Sequence, residues 1–190
     1  IYAIYDVLTK TVDRYKDMQL QPLERMKAAN RKSGSVGDVD INGAKGPLEA
    51  VEVKFDVQIS KEIVAEAIQK IRTESVERYF ILSTAGIKAG DEDDIRKMQR
   101  DFRRSNGCEI IVNGVLDSIG YYFRLIRSTA DFVLAYPELL DEAPDLGYEH
   151  RIAWNMVCIT RQRSLGVSGP HNLVPMVSRR SGKRIRRVLY

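Results

Sequence analysis

Tyr79-Phe80-Ile81-Leu82 is a continuous apolar run that stops at Ser83-Thr84-Ala85-Gly86. A run this short, without polar alternation and bounded by turn formers, reads as a strand buried on both faces. Such a strand cannot belong to a sheet with one wet side. It needs helices above and below it and partner strands beside it.

The neighbouring segments answer that requirement. Downstream, Asp91 stands at a helix N-cap, Ile95, Met98 and Phe102 follow at helical spacing, and Gly107 closes the helix. Glu109-Ile110-Ile111-Val112 supplies a further strand. Upstream, Ser60 reads as an N-cap and Ile59 with Val64 as a hydrophobic staple, while Ile63, Val64, Ala67, Ile68 and Ile71 form one apolar stripe. Two segments before that helix alternate with period two: Val39 and Ile41 against Asp38 and Asp40, then Val51, Val53 and Phe55 against Ala50, Glu52 and Lys54. Asn42-Gly43 marks the turn between them, and Lys45-Gly46-Pro47 prolongs the loop.

At the start of the chain, Ile4, Leu8, Val12 and Tyr15 describe an amphipathic helix over 1–20, and Pro22 opens a short helix over 23–30. Beyond Val115 the pattern is mainly helical, with breaks at Pro137 and Pro144 and an apolar helix over 152–159. The expected fold is α/β, a mixed β-sheet flanked by helices. It is expected to divide into a core over 1–115, a mainly helical part over 116–178 packed on that core, and a basic tail over 179–190.

A chain of 190 residues suits one compact domain with an appendage, and 44% hydrophobic with 29% charged residues is the composition of a globular protein. The two cysteines, Cys108 and Cys158, lack zinc-site spacing and imply no disulfide framework. No apolar run approaches the ~20 residues of a membrane span, and the N-terminus lacks a signal-peptide pattern, so a cytoplasmic location is expected. The chain opens on Ile1 rather than Met, which suggests a trimmed chain, a fragment or a disordered stretch ahead of it.

The net charge of +4 is unevenly spread: all 26 acidic residues lie before residue 150, and nine Lys or Arg with no acid follow. Such a segment suits a polyanion, because neutralising phosphates releases condensed counterions. A solvated basic tail accounts equally well for Arg179, Arg180, Lys183, Arg184, Arg186 and Arg187.

The chemistry resides in Gly37-Asp38-Val39-Asp40-Ile41 and Glu52-Val53-Lys54. A hairpin brings Asp38 to Glu52, and strand alternation sets Lys54 on the same face as Glu52. Two carboxylates at a sheet edge make the hard oxygen site that Mg²⁺ prefers, and a lysine beside them can hold a water and offset developing negative charge. Phosphodiester hydrolysis needs those parts. Taken singly, a strand carboxylate is usually a solvated group, and Glu-x-Lys is commonly a weak surface pair. The conjunction on two strands with apolar opposite faces is what favours chemistry. Asp40 shares the face of Asp38 and is the alternative ligand.

This arrangement resembles the PD-(D/E)XK nucleases, which carry an acidic residue, a variable gap and Glu/Asp-x-Lys on successive strands. The fuller string Pro22-Leu23-Glu24-Arg25, Ser33-Gly34-Ser35-Val36-Gly37-Asp38-Val39-Asp40-Ile41 and Glu49-Ala50-Val51-Glu52-Val53-Lys54-Phe55 is similar to bacterial type II restriction endonucleases, over roughly the first 115 residues. The resemblance implies Mg²⁺ as cofactor, Asp38 and Glu52 as metal ligands, the Val53 carbonyl completing the protein shell, and Lys54 acting on the attacking water. It also implies a role near the metal for Glu24, for which a solvated helix charge is the other reading. The family core has a strand between its first helix and the Asp strand. Residues 31–36 are too few and too polar to supply it, so the sheet is expected to be one strand short.

Around this core, Arg31, Lys32, Ser33 and Ser35 form a donor-rich loop suited to phosphate oxygens, and Lys183 and Arg184 represent the basic tail. Gln58, Gln69 and Lys70 can line the same cleft, or simply belong to polar faces. His150 and His171 fit no pattern and read as surface or packing residues. Tyr121, Tyr122 and Trp154 read as core residues rather than stacking platforms. The expected activity is Mg²⁺-dependent cleavage of double-stranded DNA by a homodimeric restriction enzyme, since a two-fold assembly cuts both strands of a symmetric site. The alternatives are a repair or recombination nuclease of the same superfamily and a non-catalytic DNA-binding module with a nuclease-like fold.

Overall fold

The computed structural model describes residues 1–22, 35–44, 46–142 and 148–164. It is α/β, with a five-stranded mixed sheet in the order β1-β2-β3-β4-β5, comprising Gln19–Leu20, Val39–Gly43, Gly46–Lys54, Arg78–Ser83 and Glu109–Gly114. β1, β2 and β3 pair antiparallel, whereas β3, β4 and β5 run parallel. The helices are α1 (Tyr2–Thr11), α2 (Lys61–Ile71), α3 (Glu92–Asn106), α4 (Val115–Leu125), α5 (Thr129–Glu142) and α6 (Tyr148–Ser164). The chain separates into two compact units, 1–136 and 137–190.

In the first unit the sheet is covered on both faces. The order advances from β3 to β4 to β5 in one direction, so two crossovers of the same hand place α2 and α3 on a single face. There Ile59, Val64, Ala67, Ile71, Ile95 and Phe102 pack on Ala50, Tyr79, Ile81 and Ile110. The other face carries Ile4, Tyr5, Val7 and Leu8 of α1 together with Tyr122 and Ile126, packed on Val39, Ile41, Val51 and Leu82. β4 is thus an interior strand with both sides occupied, as its apolar run requires.

Several boundaries differ from the expected ones. The first helix ends at Thr11, where Val12 turns extended (φ −113°), and a single 3₁₀ turn, Asp13–Tyr15, follows. That early stop frees residues 19–20 to form β1 on the edge of β2. A two-residue strand thus lies on the edge of β2, ahead of Pro22 and so before the expected 23–30 helix rather than between that helix and β2. The hairpin turn is also displaced: Asn42 and Gly43 belong to β2, Gly46 and Pro47 to β3, and Gly43 pairs with Gly46. Pairing slips between Ile41↔Glu49 and Asn42↔Pro47, leaving Leu48 as the extra residue of a bulge. Pro47 is tolerated because β4 begins its pairing only at Glu49.

Asp91 occupies the N-cap position of α3, but its carboxylate accepts the Lys61 N–H, the first amide of α2, at 3.1 Å. Ile59 and Val64 are both fully buried, as expected of a staple. Gly107 closes α3 with φ 86°, the left-handed cap that a side chain disfavours. Pro137 does not break the chain but lies inside α5. Phe55 does not join Val51 and Val53 in the core, because β3 ends at Lys54. The helix over 23–30, including Glu24, and Pro144 lie outside the described residues, as do Arg31, Lys32, Ser33, His171, Lys183 and Arg184.

Cys108 and Cys158 are free thiols, and burial raises the Cys108 thiol to about 11. Among the described residues no helix is long and apolar enough to cross a membrane.

Candidate active site

Gly37 sets where β2 begins. A Cβ built there would stand 2.7 Å from the Val51 carbonyl oxygen and 2.8 Å from its nitrogen, so only glycine lets the chain press this closely on β3. The next residue benefits from that approach. The Asp38 N–H donates to the Val51 carbonyl at 2.8 Å, and the Val53 N–H donates to the Asp38 carboxylate at 2.8 Å. Asp38 is thereby tied to the two residues that flank Glu52, with its side chain exposed.

Asp40 has a different occupation. One of its carboxylate oxygens accepts from the Val36 N–H (2.7 Å) with the Ser35 hydroxyl at 2.8 Å, and the other accepts from the Gly37 N–H (2.7 Å). It is 6% exposed. Its lone pairs are spent on folding the Ser35-Val36-Gly37 turn that delivers Asp38, which favours Asp38 as the carboxylate available to a ligand. The Ser35 hydroxyl also lies 2.8 Å from the Gly37 carbonyl, so this residue braces the same turn.

Glu52 is partly buried on the face covered by α2. Lys54 Nζ stands 2.5 Å from its Oε1, as strand alternation requires. Its Oε2 accepts a short hydrogen bond from the Tyr79 hydroxyl and faces Lys70 Nζ at 3.4 Å. Lys70 also reaches the Tyr79 oxygen at 3.3 Å. Burial opposes ionisation of Glu52, but the hydrogen bonds from Lys54 and Tyr79 and the charges of Lys70 and Lys54 outweigh it, holding this carboxyl below its ordinary range. Tyr79 moves upward, first through burial and then through the charge and hydrogen bond of Glu52, so it stays a donor.

The two carboxylates expected to act together are thus joined through the backbone of β3, and Lys54 accompanies them. Of the polar residues expected near the cleft, Lys70 is in contact with Glu52, while Gln58 and Gln69 are exposed. His150 is exposed on α6, and Trp154 is half-buried there. Tyr122 is core as expected, whereas Tyr121 is half exposed.

Tyr79 is a site residue that the sequence pattern does not single out. Its signal is available in one respect: a tyrosine inside a buried apolar strand needs a partner for its hydroxyl, and the neighbouring strand carries Glu52. Its reach from a position beside Ala50 to Glu52 depends on the side-chain direction, which the sequence does not display.

Mg²⁺ binds through one or two carboxylates with the remaining positions left to water and phosphate. The exposed carboxylate of Asp38 and the ionised Glu52 suit that donor set. Among the described residues there is no group of three or more His, Cys, Asp or Glu side chains arranged to hold a metal. The protein part of such a centre would therefore consist of Asp38, Glu52 and the backbone, leaving room for phosphate oxygens.

The opposite face of the sheet holds a second charged network. Glu49 is fully buried, accepting from Arg78 (2.7 Å), Arg14 (3.2 Å) and the Tyr5 hydroxyl (3.1 Å). Burial pushes its carboxyl up, although Tyr5, Arg14 and Tyr15 pull it back. This network fastens the segment after α1 to β3 and β4 and takes no part in the cleft around Glu52.

Compared with known proteins, the chain matches no protein-family model, and no curated sequence is significantly similar to it.

Proposed function

We propose that this chain is a Mg²⁺-dependent endonuclease acting on double-stranded DNA, of the PD-(D/E)XK kind and nearest in character to type II restriction enzymes. The observation that carries the reading is the bracing of Asp38 between Val51 and Val53, with Lys54 Nζ 2.5 Å from Glu52 between them. The order of two antiparallel strands, β2 and β3, then helix α2 and the parallel strand β4 supports the same reading.

Asp38, Glu52 and the Val53 carbonyl would hold the ion, which when bound neutralises phosphate charge and lowers the pKa of a bound water. The chain's own residues orient the reaction. Lys54 donates to the attacking water and to the developing negative charge, while Tyr79 and Lys70 hold Glu52 ionised and fixed in direction. Glu24 is proposed to act beside the metal. Arg31, Lys32, Ser33, Ser35, Lys183 and Arg184 are proposed to contact DNA phosphates. A homodimer would bring two such sites to the two strands, and the setting would be cytoplasmic.

The test is digestion of supercoiled plasmid. Mg²⁺ or Mn²⁺ should support cleavage into discrete, reproducible fragments, EDTA should abolish it, and Ca²⁺ should permit binding without turnover. Undiminished cleavage in excess EDTA would remove the metal mechanism. Cutting confined to flaps or junctions would move the chain to a repair or recombination nuclease, and metal-insensitive binding without cleavage would make it a DNA-binding module.

A further inference from the structure

A cleft of about 500 Å³ opens on the face of the sheet opposite Glu52. Strand alternation turns Arg78 and Phe80 of β4 toward it, away from the side that Tyr79 shares with Glu52. The 3₁₀ turn after α1 supplies one wall through Arg14, and α4 supplies another through Tyr121. Every residue that lines it belongs to the first unit. A volume of that order is typical of small-molecule sites.

One end of the cleft is built for an anion. Arg14 and Arg78 donate to the same atom, Oε1 of Glu49, at 3.2 and 2.7 Å. Glu49 is fully buried and also accepts from the hydroxyls of Tyr5 and Tyr15, so two cations converge on one carboxylate that is already well supplied with donors. Glu109, the acid that lines the cleft, is paired with Arg103 at 2.9 Å. Glu77 adds a negative charge near Glu49 but is exposed to water. With five N–H groups in each guanidinium, donors remain for a ligand. Two forks arriving from separate elements suit the three acceptor oxygens of a phosphate monoester better than a carboxylate, which a single fork satisfies.

The rest of the lining suits a flat ring. Tyr121 is 51% exposed, with its ring edge-on to Tyr122 at 5.5 Å, and the half-buried Phe80 adds a second aromatic surface. The Asn113 amide donates to the Ser118 hydroxyl oxygen at 3.1 Å, which leaves an amide oxygen to accept and a hydroxyl proton to donate, the groups that read the edge of a base. We infer that this cleft binds a nucleoside monophosphate, its phosphate at Arg14 and Arg78 and its base against Tyr121 and Phe80. The inference goes beyond the endonuclease reading and does not depend on it, because the cleft and Glu52 lie on opposite faces of the sheet.

The experiment is isothermal titration of the whole 190-residue chain with deoxyadenosine monophosphate in the presence of EDTA. Binding should be saturable, with deoxyadenosine and inorganic phosphate each about tenfold weaker or worse. Arg14→Gln and Tyr121→Ala should each weaken it about tenfold, whereas Lys54→Ala, in the other cleft, should leave it unchanged. Both Arg14 and Tyr121 are substantially exposed, so both variants should keep the wild-type melting temperature. If Arg14→Gln melts early through its loss to Glu49, Tyr121→Ala decides alone. Absence of saturable binding, or full affinity in Tyr121→Ala, overturns the inference. So does binding that disappears in Lys54→Ala, which assigns the nucleotide to the Glu52 cleft, and so does inorganic phosphate that binds as tightly as the nucleotide, which leaves an adventitious anion only.

Discussion

Asp38 and Asp40 are the same residue type on the same face of one strand, and their environments give them different work. Asp38→Ala removes an exposed carboxylate and one hydrogen bond that water can replace, so stability should change by under ~1 kcal/mol while cleavage falls by several orders of magnitude. Asp40→Ala strips acceptors from the Val36 and Gly37 amides, both in buried residues, and should cost ~2–4 kcal/mol while leaving much more activity per folded molecule. Urea unfolding and single-turnover cleavage of both variants check the contrast, and equal stability losses would undo it. Glu52 makes a prediction in pH. Its folded-state pKa is depressed, so its ionised form contributes stability above the ordinary glutamate value near 4.5, and that contribution is lost as pH falls through the lower folded value. Titration followed by carbon NMR should place the Glu52 midpoint below 4.5, and Lys70→Met should raise it. A midpoint unmoved by Lys70→Met would show that Lys70 does not act on this carboxylate.

At the scale of elements, the site depends on how tightly β2 is drawn onto β3. Gly37→Ala places a Cβ 2.7 Å from backbone that cannot yield, so the start of β2 must move away from Val51 and carry Asp38 with it. We expect a destabilisation of ~1–3 kcal/mol of the overpacking kind, with cleavage falling further than the folded fraction does. Thermal melting and the activity of the fully folded variant separate the two effects, and wild-type activity would mean that Asp38 needs no fixed register. The other supports are similarly indirect. Asp91 caps α2 from the loop before α3, and α2 in turn delivers Lys70 to Glu52. Deleting that carboxylate should therefore weaken a helix to which it does not belong, by about 1 kcal/mol.

Across the whole molecule, charge is segregated along the chain, with six Lys or Arg among residues 179–190. If these residues meet phosphates, truncation after Ser178 should flatten the dependence of log affinity on log salt by ~0.9 for each phosphate that is no longer neutralised. Fluorescence anisotropy with duplex DNA over a salt series measures that slope, and an unchanged slope makes the segment a bystander. Because phosphate recognition carries no base information, truncation should weaken binding to all sequences alike.

The class of fold and the residues that carry the candidate chemistry are legible in the linear chain. An apolar run at Tyr79-Phe80-Ile81-Leu82 demands cover on both faces, and period-two alternation assigns Glu52 and Lys54 to one side, whatever else the chain does. Both are local patterns, and local patterns are written in neighbouring residues. Other features depend on distant partners and emerge only when the chain is folded. β1 exists because β2 offers an edge to two residues that no periodicity marks, and the hairpin turn sits two residues later than Asn42-Gly43 suggests because pairing with β3 extends through both. Asp40 is withdrawn into a local turn, while Tyr79 and Lys70 converge on Glu52 from β4 and α2. The physical reason is that neither kind of contact is periodic. A hydrogen bond between residues tens of positions apart leaves no mark in the local pattern, and the bonds that withdraw Asp40 run back only to Ser35, Val36 and Gly37, in a turn that no strand or helix repeat marks.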